Sequence, residues 1–186
     1  GLMSHTLAVG YREIGELEKA ASTFHDTYRH TSEYTPAYAV RSLSALAQMR
    51  RRQARLREAH QIYQDAADRH VELNIDPIHT GVALGGLLET TLEQNDLPKA
   101  KYWAARALDN RQRVLADPSP WARIGLAAID FSLVKYYAAL GNLEEAIRYL
   151  TDLKIHKPYD LEATSQPPYQ LIEAQVLVGL AMQEQR

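Results

Sequence analysis

The chain has no cysteine, which excludes a disulfide framework and any thiolate metal site. It has no apolar run near the ~20 residues needed to span a bilayer. Its first residues carry no basic region followed by an apolar core, so no secretory signal is expected and a cytoplasmic location is. The net charge of −2 is too small for bulk nucleic-acid binding. Val, Ile and Thr seldom run together, while Ala and Leu are abundant, which favours helix over strand. Signatures of chemistry are missing too. Gly81-Val82-Ala83-Leu84-Gly85-Gly86 lacks the Lys-Ser/Thr of a phosphate loop and reads as close helix packing at small residues. The seven histidines form no metal motif: His25 and His30 fall on different helix faces, and His60 lies in an apolar stripe. No nucleophile elbow occurs. No enzyme, cofactor or metal is expected.

What is present is a repeated turn. Gly141-Asn142-Leu143-Glu144-Glu145-Ala146 ends one helix and starts another. Gly141 suits the left-handed conformation that stops a helix, and Asn142 suits the next N-cap. Leu143, Ala146, Ile147, Leu150 and Leu153 then recur at helical spacing, as do Leu126, Leu133, Tyr137 and Leu140 before the turn. The same turn recurs at Gly15–Ala20, Ala54–Ala59 and Asn95–Ala100, with leucines at 17, 56, 97 and 143. Their separation of about 40 residues is a helical-solenoid period. Ala54 resists the left-handed conformation, so a looser turn is expected there. Thr35-Pro36 and Asp76-Pro77 open helices, Asp117-Pro118-Ser119-Pro120 is a break, and Lys157 to Pro168 is the longest loop. The expected pairs cover about 2–34, 36–74, 77–116 and 119–156, and an unpartnered last helix covers 169–184, apolar on more than one side. The chain thus reads as one all-α domain of about nine helices, a right-handed superhelix of antiparallel pairs, cut from a longer protein.

The residues resemble tetratricopeptide repeats. The first unit gives Tyr11, Gly15, Ala20 and Phe24, and the fourth gives Leu133, Tyr137, Gly141, Ala146 and Leu150. The third departs, with Thr91 and Ala104 in place of aromatics, and no unit has the family's early tryptophan. Gly86 to Ala100 and Leu46 to Ala59 are similar to the longer repeats of MalT-like LuxR-type transcription regulators. In those proteins an ATPase module precedes the repeats and a DNA-binding helix-turn-helix follows them.

In a solenoid the first helices of successive units line the concave surface. Setting the four turns in register puts Arg12 and Glu13, then Arg41, Gln48, Arg51 and Arg52, then Glu89 and Glu93, then Phe131 and Lys135 inward. That predicts a groove with a basic section beside an acidic one, plus an aromatic. The arginine run 41–57 otherwise reads as a solvated face. The resemblance implies a non-catalytic sensor domain. An effector small molecule, peptide or protein would bind the groove and control self-association, with no direct contact to nucleic acid or membrane. The open face of the last helix offers a surface for self-association. The alternative is a free-standing adaptor that holds a peptide segment of a partner.

Overall fold

At each of the four repeated turns the chain reverses through one residue in the left-handed region: φ is 81° at Gly15, 59° at Ala54, 58° at Asn95 and 68° at Gly141. The hydrogen bonds repeat as well. The N–H of this residue reaches back three positions and the next N–H reaches back five, as in Glu16 to Tyr11 O and Arg55 to Arg50 O, both 2.9 Å. This is the Schellman closure, which satisfies the last carbonyls of a helix. Ala54 therefore makes a turn as tight as the glycines do, not the looser one expected. The closing bonds and the packing of both flanking helices hold it there. Beyond two of the turns a side chain caps the next helix: Asp96 accepts from the Lys99 N–H at 3.1 Å and Asn142 from the Glu145 N–H at 3.3 Å.

This computed structural model describes residues 2–73, 77–119, 122–156 and 169–184. They form α1 (Leu2–Glu13), α2 (Leu17–Thr31), α3 (Pro36–Arg52), α4 (Leu56–Glu72), α5 (Pro77–Glu93), α6 (Leu97–Leu115), α7 (Ala122–Ala139), α8 (Leu143–His156) and α9 (Tyr169–Glu184). Prolines open α3 and α5, where the missing N–H costs nothing. No strand occurs among the described residues, and none of their helices is long and apolar enough to cross a membrane. The expected loop from Lys157 to Pro168 lies outside the described residues. Consecutive helices pack on each other, and α5 also packs on α3 and α7, as α7 does on α9.

The turn alanines anchor the core. Ala20, Ala59, Ala100 and Ala146 are all fully buried, because there the two helices of a pair come closest. The turn leucines do less: Leu97 is 43% exposed and Leu143 only half-buried. Two other expected core residues, Leu140 and Ile147, are exposed, while Tyr149, Leu150 and Leu153 complete the buried face of α8. The glycines of α5 do serve close packing. A Cβ on Gly85 would sit 2.9 Å from the Ala128 carbonyl oxygen of α7, and one on Gly125 would sit 2.8 Å from the Ile78 carbonyl oxygen of α5. On α9, Ala174 and Val178 are buried, whereas Ile172, Val176, Leu180 and Met182 stay open.

Candidate functional site

α1, α3, α5 and α7 each turn one face toward the same side, and there a cleft of about 560 Å³ opens. His5, Val9 and Arg12 come from α1, and Arg41, Ser44, Ala45, Gln48 and Arg51 from α3. The remaining lining comes from Tyr63 of α4, from Ile78, His79, Val82, Gly86 and Glu89 of α5, and from Ile124, Ala127 and Ala128 of α7. Every turn-linked pair thus contributes, the second through both of its helices. The middle is aliphatic and the charges collect at the ends.

At the end nearest the turns an ionic ladder crosses four helices. Arg51 lies 2.7 Å from Glu89 and 2.6 Å from Glu93. Lys135 of α7 lies 3.4 Å from Glu89, 3.7 Å from Glu93 and 2.9 Å from Glu173 of α9. Burial disfavours the charge on Arg51, but Glu89 and Glu93 outweigh it and raise its pKa above the ordinary value. Lys135 behaves likewise, with Glu89 and Glu173 as the outweighing partners. Glu89 is pushed upward by burial, against the pull of Arg51 and Lys135. These cations and carboxylates satisfy one another, so the ladder ties helices together and leaves little charge for a ligand.

The opposite end carries Arg41, exposed at the rim and without an ion pair among the described residues, while Arg12, level with Arg51 at the turn end of α1, pairs with its neighbour Glu13 at 2.7 Å. Between them His5 receives or gives a hydrogen bond at Nδ1 with Ser42 Oγ, 3.2 Å away, and its ring meets the edge of Phe24. Burial, then Arg41 and Arg12, lower its pKa to about 4, so the imidazole is neutral at pH 7.

The register thus brings Arg12, Arg41, Gln48, Arg51 and Glu89 to the cleft and places Glu93 and Lys135 in the adjoining ladder. Arg52 is exposed and does not line the cleft; a helical step of about 100° separates it from Arg51. Phe131 is corrected: it is 2% exposed and part of the core, with Lys135 Nζ 5.2 Å from its ring centroid. α9 packs on α7, and its Glu173 reaches Lys135, one turn along from Phe131. The arginine run also divides by partner, since Arg50 meets Glu18 and Glu58 on the side away from α5.

Following charge alone missed His5, Ser44 and Tyr63. His5 and Ser44 stand at the same distance before their turns, a signal the register did contain. A second ionic cluster was also missed. Arg111 of α6 binds Asp130 at 2.6 Å and Asp152 at 2.7 Å, and His156 Nδ1 lies 2.8 Å from the other Asp130 oxygen. Asp130 is fully buried; burial pushes its carboxyl up, while Arg111 and His156 hold it down. The cluster joins α6, α7 and α8 and does not line the cleft. No family model matches the chain, and no curated protein matches its sequence.

Proposed function

We propose that the chain is a non-catalytic, ligand-binding repeat domain, a right-handed solenoid of the kind found in MalT-like regulators. One observation carries this reading: the cleft draws its walls from all four turn-linked pairs. A molecule seated there touches α1, α3, α5 and α7 at once, so its binding favours one mutual arrangement of the pairs. An effector then acts by population shift, stabilising the conformation it fits best. The size suits a small molecule, since ligand pockets span about 300–1,000 Å³. The adaptor reading needs an open groove along the whole face, and the ladder from Arg51 to Glu173 occupies that face beyond the cleft. Control of self-association, the downstream effect proposed by resemblance, has a candidate surface in the open residues Val176 and Leu180 of α9.

The test is a metabolite screen by thermal shift, followed by calorimetry on each hit. Ala45→Trp places an indole in the cleft. It should abolish binding and leave the helical signal and thermal midpoint nearly unchanged. Hits that bind Ala45→Trp as well as wild type would place the ligand elsewhere and defeat the reading. Sedimentation with and without a hit tests the coupling: an assembly state indifferent to the ligand and to Val176→Glu with Leu180→Lys would remove self-association from the proposal. A reading frame with an ATPase module upstream and a helix-turn-helix downstream would support the regulator assignment, and a frame lacking both would refute it.

A further inference from the structure

Helical serines and threonines of this chain commonly turn their hydroxyls back onto the preceding turn. Thr27, Thr31, Ser42, Thr91 and Thr151 each donate to the carbonyl four residues earlier. Ser44 does not. Its hydroxyl is buried and has no hydrogen-bond partner among the described residues, and the residue lines the cleft. A buried polar group without a partner is costly; the Ser44 oxygen is closed off as it stands, and a change of rotamer toward the cleft would bring it to a bound ligand. One helical turn away on the same face of α3 are Arg41 and Gln48, both also on the cleft. Gln48 makes no hydrogen bond among the described residues, and Arg41 makes neither a hydrogen bond nor an ion pair. Three donors therefore line one wall in a row, and Arg12 adds a guanidinium from α1.

The charges at this end decide the sign of the ligand. Arg12 shares Glu13 and His5 is neutral at pH 7, so Arg41 is the guanidinium at this end without an ion pair among the described residues; His79 of α5 lines the cleft as well. Among the described residues Glu89 is the one carboxylate on the lining, and it is held at the far end by Arg51 and Lys135. Arg41, exposed at the rim, favours a negative charge beside it. Next to it the walls are aliphatic: Val9, Ala45, Val82, Ile124 and Ala127. Resting on the reading of the cleft as a ligand site, we propose that it takes a monoanionic organic acid. Its carboxylate is held by Arg41, with Ser44 and Gln48 donating, and its hydrocarbon body lies on the aliphatic walls toward α7.

The proposal is tested on the whole chain by calorimetry with hexanoate, octanoate, decanoate and phenylacetate, each beside its primary amide, and with octyl phosphate as a dianion. The acids should bind about tenfold or more tightly than their amides, because a charge-assisted hydrogen bond is replaced by a neutral one. Arg41→Gln should remove that preference and leave amide affinity unchanged; Ser44→Ala should weaken the acids by a smaller factor. Ala45→Trp should abolish all of it. If acid and amide bind equally and Ala45→Trp blocks both, the cleft stands as a ligand site and the anion assignment falls. If Ala45→Trp leaves acid binding intact, the cleft reading falls with it. Tighter binding of octyl phosphate than of octanoate, or no saturable binding of any acid, overturns the monoanion assignment.

Discussion

Replacing Ala54 with glycine should stabilise the chain, although it removes a methyl group from a helical protein. Ala54 sits at φ 59°, in the left-handed region, where an L side chain costs about 1–2 kcal/mol. Glycine escapes that cost but loses more freedom on folding, a penalty of about 0.5–1 kcal/mol. The balance favours glycine by about 0.5–1 kcal/mol, which for a chain of this size raises the melting midpoint by about 1–4 °C. Gly15→Ala is the mirror experiment. Gly15 has φ 81° and nothing within 4 Å of the position a Cβ would take, so only the backbone conformation is perturbed. It should lose a similar amount. Thermal unfolding followed by circular dichroism, with urea midpoints at unchanged slope as a second measure, reads both. A lower midpoint for Ala54→Gly, or no loss for Gly15→Ala, would refute the shared turn geometry.

Three further outcomes are expected. Arg111→Met should cost about 3–5 kcal/mol, because it strips the buried Asp130 of its closest cation, and Arg111→Met with Asp130→Leu should recover much of that; chemical denaturation of the single and double variants checks it. His5 makes stability depend on pH. Its folded pKa of about 4 lies below the ordinary 6.5, so the unfolded chain binds the proton first. The contribution is complete above about pH 6.5 and is lost as pH falls toward 4; it amounts to about 1–2 kcal/mol once partial exposure is discounted. His5→Gln should flatten that part of a stability–pH curve, with Arg12 and Arg41 still facing the site. Finally, Ala146→Leu should cost about 1–3 kcal/mol by overpacking and Leu143→Ser about 1 kcal/mol or less, and thermal midpoints in the reverse order would contradict the burial pattern.

Much of the helical architecture could be read from the chain because its signals are local. A left-handed turn residue, a cap, and an alanine five residues after the turn residue repeat with a period near 40. Ala54 could not be read this way. Intrinsic preference argues against its conformation, and the closing hydrogen bonds from Ala54 to Arg51 and from Arg55 to Arg50 decide it. Counting back from the turns put Arg51, Glu89 and Lys135 on one side, but as open groove charges and not as the ladder in which they meet across helices far apart in sequence. It failed for Phe131 because counting positions does not show where a further helix packs, and α9 packs on α7 with its Glu173 reaching Lys135, one turn along from Phe131. Ser44 escaped because its significance is a missing hydrogen bond, which no sequence displays.

The contact of α5 with α7 has a mechanical side. At Gly85 and Gly125 the nearest atoms across the joint are backbone, so little side chain there can change rotamer and take up a displacement. That joint should resist sliding, and these two helices are expected to move together. On the other side of the cleft α1 meets α3 through His5 and Ser42, a contact that side-chain rotation can lengthen or release. The compliance of the domain is therefore lopsided. A force on the cleft walls should therefore move the amino-terminal pair before the α5–α7 joint, and amide hydrogen exchange should be faster in α1 than in α5 or α7.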